Sequence, residues 1–420
     1  MDEQSILDST KPSGKLSLIP YMFLAAANSA ERSIDEVVLD ALGAIRQYLG
    51  MEVAFVSEFA EGRRWFRYVD SGLETSIINV GDSNPLEESY CQRVVDGRLP
   101  ELIQDATTVP AALELAVTTD LPVGAHLSVP IRLDNGQVYG TFCCFSTRPD
   151  LSLGDRDLAI MHLFAEFASR QIARDLTANV DRREMIERVT AMLEAELFSV
   201  VYQPIVDLEK NRIIGFEALT RFWDQPIRSP DTWFAEAAQV GFGEQMEIAA
   251  IAKALVALDR IPEAIYISLN VSPETILNGA IHRALENVPL RRLVLEVTEH
   301  VAIPDYSQFD ECLASLRDRG IRLAVDDAGA GYASFLHILQ LNPDIIKLDI
   351  SLIRHIDTDP TRRALTAALV GFARETGSSI VAEGVETQAE LNVLQQLRVN
   401  KAQGYLLGNP LPLDEAAGLF

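Results

Sequence analysis

The sequence is short of positive charge. Of 420 residues, 36 are Lys or Arg against 61 Asp or Glu, a formal net charge of −25. That balance opposes a long contact with a nucleic-acid backbone, which takes clustered Lys and Arg, and so disfavours a polymeric nucleic-acid partner. Cysteine is scarce as well. Cys91, Cys143, Cys144 and Cys312 show neither metal-ligand spacing nor a framework dense enough to staple a fold, so reduced thiols are expected. Long apolar runs are missing: the longest early patch, Leu18 to Ala27, is too short to span a bilayer and contains Pro20. Met1-Asp2-Glu3-Gln4 lacks the basic start and apolar run of a secretory signal. A cytoplasmic protein without a membrane span is the expectation. His162, His282, His300, His337 and His355 have no ligand spacing either.

The length and a hydrophobic content of 48% suffice for two cores of ordinary size. Residues 1–20, in which Ser9, Thr10, Pro12, Ser13 and Gly14 crowd together, read as a flexible tail. Ser33 with Glu36 is a helix start, and Val37, Val38, Ala41, Leu42 and Ile45 carry that helix to about Gly50. Strand-like runs follow at Glu52 to Phe59 and Arg64 to Val69, then a helical segment from Leu86 to Val95 and a long loop-rich stretch. Asp134-Asn135-Gly136 between the apolar runs Leu127 to Leu133 and Val138 to Ser146 predicts a hairpin. From Asp157 to about Glu196 the pattern is helical, with Leu158, Met161, Ala165, Ala168, Ile172 and Leu176 forming one seam. That seam pairs with its copy in a dimer or folds back onto its own sheet, and the sequence leaves both open.

The second half alternates strand with helix, and its apolar runs end in acids, amides or a lysine. They are Ile213 to Leu219, Tyr266 to Asn270, Leu293 to Glu299, Leu323 to Asp327, Ile345 to Asp349 and Ile380 to Glu386. Alternation over roughly 200 to 250 residues predicts a parallel β/α barrel, whose chemistry sits at the carboxyl ends of the strands. Glu217, Glu296, Asp326, Asp327, Glu383 and Glu386 would then converge at one mouth. Packed anions take up protons or share cations, and oxygen donors with one amide, Asn270, suit hard ions such as magnesium or manganese.

At these residues the chain resembles the EAL domains, the cyclic di-GMP phosphodiesterase family. Tyr202-Gln203-Pro204-Ile205-Val206, Glu217-Ala218-Leu219 with Arg221, Asn270-Val271-Ser272 and Glu296-Val297-Thr298-Glu299 carry the resemblance. So do Asp326-Asp327, Lys347-Leu348-Asp349, Glu383-Gly384-Val385-Glu386 and Gln403-Gly404-Tyr405. The first half, through Val129-Pro130-Ile131 and Tyr139-Gly140-Thr141-Phe142, resembles a GAF sensor domain. The implied architecture is α/β: an α+β GAF-like domain over 21–176, a linker helix over 177–196 and a TIM-like (β/α)8 EAL barrel over 197–420.

The resemblance implies hydrolysis of cyclic di-GMP to linear pGpG with two Mg2+ or Mn2+ ions. Metal ions that screen the phosphates would let so acidic a chain hold a small dinucleotide. Glu217, Asn270, Glu296 and Asp326 would hold one ion, and Asp326, Asp327 and Glu383 the other. Lys347, Glu383, Glu386 and Glu299 would serve catalysis: Lys347 protonated and orienting the attacking water, Glu386 orienting Lys347 or water, Glu299 bracing the loop after Asp327. Gln203, Leu219, Arg221, Asp349 and Gln403 would hold the substrate, Arg221 through paired hydrogen bonds to phosphate. Adjacent strand residues face opposite ways, so Asp326 and Asp327 share a site only if the strand breaks, a break assigned to Ala328-Gly329-Ala330-Gly331. The chain departs from the family pattern with Ala at 328, 330 and 333 and with Ile350 where many members place Arg. No synthase motif of the GGDEF type is present, so the chain would only remove the messenger. A barrel that binds cyclic di-GMP without cutting it, signalling through its partner domain, is the alternative. A homodimer and an unknown small ligand at the GAF domain complete the expectation. Cys143 and Cys144 read as small buried hydrophobes, and His126 and Tyr90 as cavity-lining or core residues.

Overall fold

A computed structural model describes residues 33–223, 227–298, 303, 305–329 and 334–420, and the expected tail over 1–20 lies outside them. The chain divides into two compact units, Met1–Asp181 and Arg182–Phe420.

In the first unit, helix α1 (Ile34–Leu49) starts where Ser33 accepts a hydrogen bond from the Glu36 amide and stops at Gly50, whose φ of 67° needs no Cβ. Strands β1 (Val53–Ala60), β2 (Arg63–Ser71), β3 (Ser83–Pro85), β4 (Leu102–Ile103), β5 (Ala125–Arg132) and β6 (Val138–Ser146) form one sheet ordered β3-β2-β1-β6-β5-β4. Every neighbouring pair is antiparallel. Alternation along β6 sends Phe142 and Cys144 into one core and Cys143 and Phe145 into another. The first core is closed by α1 and by the long helix α2 (Asp155–Glu194), whose Met161, Ala165, Ala168 and Ile172 are buried there. The seam therefore folds onto its own sheet as far as Ile172, while Leu176 beyond it is exposed. The other core is covered by a short helix, Tyr90–Val95, and by loops.

In the second unit eight strands close a barrel. They are β7 (Phe198–Asp207), β8 (Arg212–Phe222), β9 (Tyr266–Asn270), β10 (Leu293–Thr298), β11 (Arg322–Ala328), β12 (Ile345–Leu348), β13 (Ser379–Ala382) and β14 (Lys401–Ala402). From β8 to β14 the neighbours are parallel. Strand β7 is reversed: it runs antiparallel to β8 and to β14, which closes the ring. The reversal follows from a tight connection in which Asp207 Oδ1 accepts from the Glu209 and Lys210 amides and Asn211 takes a φ of 46°.

Inside the ring, Ile205, Tyr266, Val294, Ala324, Ile345 and Val381 form an apolar layer. The period of two then puts Gln203, Ser268, Glu296, Asp326, Lys347 and Glu383 in the next layer, toward the mouth. Glu217 follows Gly215 in the same way. A Cβ on Gly215 would lie 2.5 Å from the Tyr266 ring, so the glycine makes room for the one large side chain of the floor. No helix among the described residues is long and apolar enough to cross a membrane.

Candidate active site

Lys347 holds the layer together. Its buried ammonium lies 2.7 Å from Glu296 Oε2, 2.7 Å from Glu383 Oε1, 3.1 Å from Asp326 Oδ2 and 3.5 Å from Glu217 Oε2. One cation thus faces four carboxylates, and Asp327 adds a fifth at the same mouth. Around the ring, Gln403 Nε2 donates to Glu217 Oε2 at 2.5 Å and to Gln203 Oε1 at 2.9 Å, and Asn270 Nδ2 donates to Glu217 Oε1 at 3.2 Å. Ser268 donates to Glu296 Oε1. Gln403 is held over the barrel because its carbonyl accepts from the Val385 amide at 3.1 Å, and Gly404 beside it approaches Val385 so closely that a Cβ would lie 2.2 Å from the Val385 nitrogen.

The adjacent aspartates converge through a bulge. The β11–β12 register shifts between Val325 and Ala328, and Asp327 itself takes φ 58°, while its amide donates to Asp326 Oδ1 at 2.9 Å. The break expected at Ala328-Gly329-Ala330-Gly331 therefore falls one residue earlier. Asp is among the few residues with a side chain that adopt this left-handed conformation readily.

Two sets of oxygens result. Glu217, Glu296 and Asp326 each offer an atom within 4.8 Å of the others, and so do Asp326, Asp327 and Glu383, with Asp326 common to both. All are hard donors, Asn270 adds an amide, and Gln403 Oε1 is buried with no hydrogen-bond partner among the described residues, so the donor set fits divalent magnesium or manganese.

Electrostatics agree with that fit. Burial, with Glu217 and Asp326 nearby, pushes the Glu296 carboxyl up to about 8 despite Lys347. Burial and the neighbouring carboxylates put Glu383 well above the usual range. Burial would raise Glu217 too, but Lys347 and the bonds from Gln403 and Asn270 outweigh it, and its carboxyl is lowered. Lys347 titrates well above an ordinary lysine: burial opposes its charge, and Asp326, Glu217, Glu296 and Glu383 overcome that. A carboxyl raised in the folded state binds more protons than in the unfolded chain, and its contribution is lost as pH rises toward its folded value. The metal-free protein is thus expected to lose thermal stability from about pH 5 to about pH 8, and manganese to restore it with proton release. Melting curves with and without manganese check this; a metal-free profile that rises over that window contradicts it.

Two lobes flank the acidic layer, sharing Glu217, Leu219 and Asp327. The larger, about 550 Å³, is lined by Arg221, Phe234 and Asn270. The smaller, about 350 Å³, is lined by Gln203, Asp349, Ile350, Glu386, Gln403 and Tyr405. Arg221 donates to its neighbour Thr220's carbonyl at 2.9 Å, and Asp349 caps a helical turn by accepting from the Ser351 amide at 2.9 Å. Glu386 is not drawn to Lys347; both its oxygens accept from Arg354, at 2.8 and 2.9 Å. Glu299 lies outside the described residues. Sequence reasoning missed Ser268 and Arg354. Ser268 was within reach, since it stands two positions before Asn270 on β9 and so shares its face.

A family model described as the EAL domain matches residues 186–410, and one described as a GAF domain matches residues 31–173. An uncharacterized protein of Azorhizobium caulinodans is 30% identical over 289 residues, 64% of this chain and 38% of its own length. A cyclic di-GMP phosphodiesterase of Pseudomonas aeruginosa is 32% identical over 228 residues, 51% of this chain and 39% of its own. The chain spans only 29% to 39% of the length of four curated relatives that it matches. Among solved structures, the PaMucR phosphodiesterase in complex with c-di-GMP superposes with a TM-score of 0.51 at 29% identity, covering 56% of this chain and 99% of that one.

Proposed function

Since the chain belongs to the EAL family and carries a GAF domain ahead of the EAL domain, we propose that it hydrolyses cyclic di-GMP to linear pGpG. The observation that carries this proposal is the pair of overlapping oxygen triads joined at Asp326, with protonated Lys347 beside them and a lobe on either side. Glu217, Asn270, Glu296 and Asp326 would hold one Mg2+ or Mn2+, and Asp326, Asp327 and Glu383 a second. Such a pair of ions, when bound, supplies an activated water and cancels charge on the phosphoryl oxygens.

The chain's own residues do the rest. Lys347 brings a fixed positive charge to the point where the phosphodiester gains negative charge, and its four carboxylate contacts keep it from swinging away. Gln403 and Asn270 fix the Glu217 carboxylate, and Ser268 fixes Glu296, so both present oxygens without rearrangement. Arg221 in the larger lobe suits a phosphate, because its planar fork donates two parallel hydrogen bonds. Gln203, Leu219, Asp349 and Gln403 line the smaller lobe, where Asp349 would accept from a guanine edge. Glu386, paired with Arg354, forms the rim of that lobe. A dinucleotide with two similar halves suits two lobes meeting at a charged centre. The proposal includes a homodimer, supported by Leu176 and Val180, which stay exposed on α2 beyond the part that covers the sheet. It also includes a cytoplasmic location and a small ligand at the GAF domain that regulates turnover.

The test is incubation of the purified protein with cyclic di-GMP and magnesium or manganese, followed by chromatography. The expected product is pGpG, and a chelator is expected to stop its formation. Tight binding without product would support a cyclic di-GMP-binding signalling module instead, and no binding would point to another substrate.

A further inference from the structure

In the first unit, Arg64 is a buried cation with no carboxylate partner among the described residues; it is 5% exposed. Its guanidinium lies 4.4 Å from the Phe66 ring centre and 5.6 Å from that of Phe55, and Nε donates to Asn84 Oδ1 at 3.0 Å. Nη1 donates to Cys91 Sγ at 3.2 Å. Among the described residues, the group that can face it as an anion is the Cys91 thiolate. Burial opposes that ionisation most, yet the hydrogen bond from Cys143 and the charge of Arg64 outweigh it, and the Cys91 thiol falls well below its ordinary value. Cys143 is pushed the other way, by burial and by Cys91 beside it.

The two sulfurs are 3.7 Å apart, Cys91 on the short helix Tyr90–Val95 and Cys143 on β6. Ser128 Oγ and Thr141 Oγ1, each 3.1 Å from Cys143 Sγ, hold that sulfur in place. Cys144 lies in the opposite core, so alternation along the strand selects Cys143 as the partner. A cleft lined by Phe55, Arg64, Phe66, Tyr90, His126 and Phe145 opens beside the guanidinium, and its volume of about 20 Å³ is room for one water-sized molecule; both sulfurs are fully buried and neither is on its wall, so an oxidant reaches Cys91 only as the side chains over it open.

We propose that Cys91 and Cys143 are a redox-active dithiol, with Cys91 the sulfur that meets a small hydroperoxide and Cys143 the one that resolves it. The Cys91 thiolate attacks the outer peroxide oxygen: an S–O bond forms, the O–O bond breaks, and the departing oxygen takes up a proton and leaves as water or an alcohol. Cys91 is then a sulfenic acid, oxidised by two electrons. The Cys143 sulfur attacks it, the S–S bond forms, and hydroxide leaves with the Cys143 proton as water. The net change takes two electrons from the sulfur pair and reduces one peroxide, with one proton supplied by the Cys143 thiol and one by solvent. It also removes the anion facing Arg64, which changes the charge beneath the cleft and gives the unit a chemical input.

The experiment treats the full chain with hydrogen peroxide, alkylates remaining thiols after unfolding and maps the peptides by mass. Alkylatable cysteines are expected to fall from the four free thiols to two, with one crosslinked peptide pair joining Cys91 and Cys143. Cys143→Ser is expected to stop at a Cys91 sulfenic acid that a 1,3-dione traps, and Arg64→Met to slow oxidation about tenfold or more. The wild-type result needs no variant to fold. Persistence of all four thiols, loss of Cys144 or Cys312 in place of the pair, or absence of a trapped adduct at Cys91 in the Cys143→Ser protein would each overturn the proposal.

Discussion

Asp326→Asn is expected to lower cyclic di-GMP hydrolysis by about 10³-fold or more. Asp326 is the one residue shared by the two oxygen triads. Asn keeps its shape and can still accept from the Asp327 amide, a bond now 2.9 Å long. It loses the charge, however, and turns one of two acceptor oxygens into a donor that faces the incoming cations. Titration calorimetry with manganese should show fewer than two ions bound per chain, and the initial rate of pGpG formation should fall with it. A variant that keeps both the rate and two ions would remove Asp326 from its bridging role and with it the proposed arrangement of the site.

Lys347→Met is expected to act on stability and turnover together, with opposite responses to metal. Without the ammonium the four carboxylates around it face one another in a buried layer, and breaking a buried pair in this way costs about 3 to 5 kcal/mol. Because the lysine titrates well above its ordinary value, its contribution is present throughout the pH range of an assay and fades only as pH rises toward that of a free lysine and beyond. The carboxylates decide the window. Lys347 helps hold the Glu217 carboxyl low, so the melting-temperature loss should be smallest near pH 5 and largest near pH 8, where the parent keeps that charge paired and the variant must bury it unpaired or protonate it. Manganese should recover much of the stability, since divalent charge replaces the lost cation, but not the turnover, which should stay about 10²- to 10⁴-fold low. Thermal melts at the two pH values, with and without manganese, separate these effects. A variant as stable as the parent at pH 8 without metal, and turning over within a few fold of it, would show that Lys347 is a bystander.

Much of this site is legible in the sequence because a strand has a simple rule. Side chains alternate, so an acid or lysine two positions beyond an apolar interior residue must face the mouth, as Glu296 follows Val294 and Lys347 follows Ile345. The rule has no direction, which is why the reversed β7 did not show itself: Gln203 and Ile205 alternate equally well read either way. Its cue was the turn chemistry of Asp207 to Asn211. Periodicity likewise gives a helix its face but not its partner, and Met161 to Ile172 turned out to cover their own sheet. Contacts made through folding alone had no local trace. Arg354 and Glu386 are 32 residues apart, and Cys91 and Cys143 are 52 apart, with nothing at either end that announces the other.

The closure of the barrel by β14 against β7 bears on how the chain is made. The Gln203–Gln403 hydrogen bond spans 200 residues. While the polypeptide leaves the ribosome, β7 has a bare edge on the side that Lys401 and Ala402 will fill, and β13 has another. Until then the growing chain offers two sticky borders to any neighbour, and crowding favours their pairing into aggregates. The Gln403 bond that orients Glu217 forms with that same closure, so completing the acidic ring and covering the strand edges are a single event.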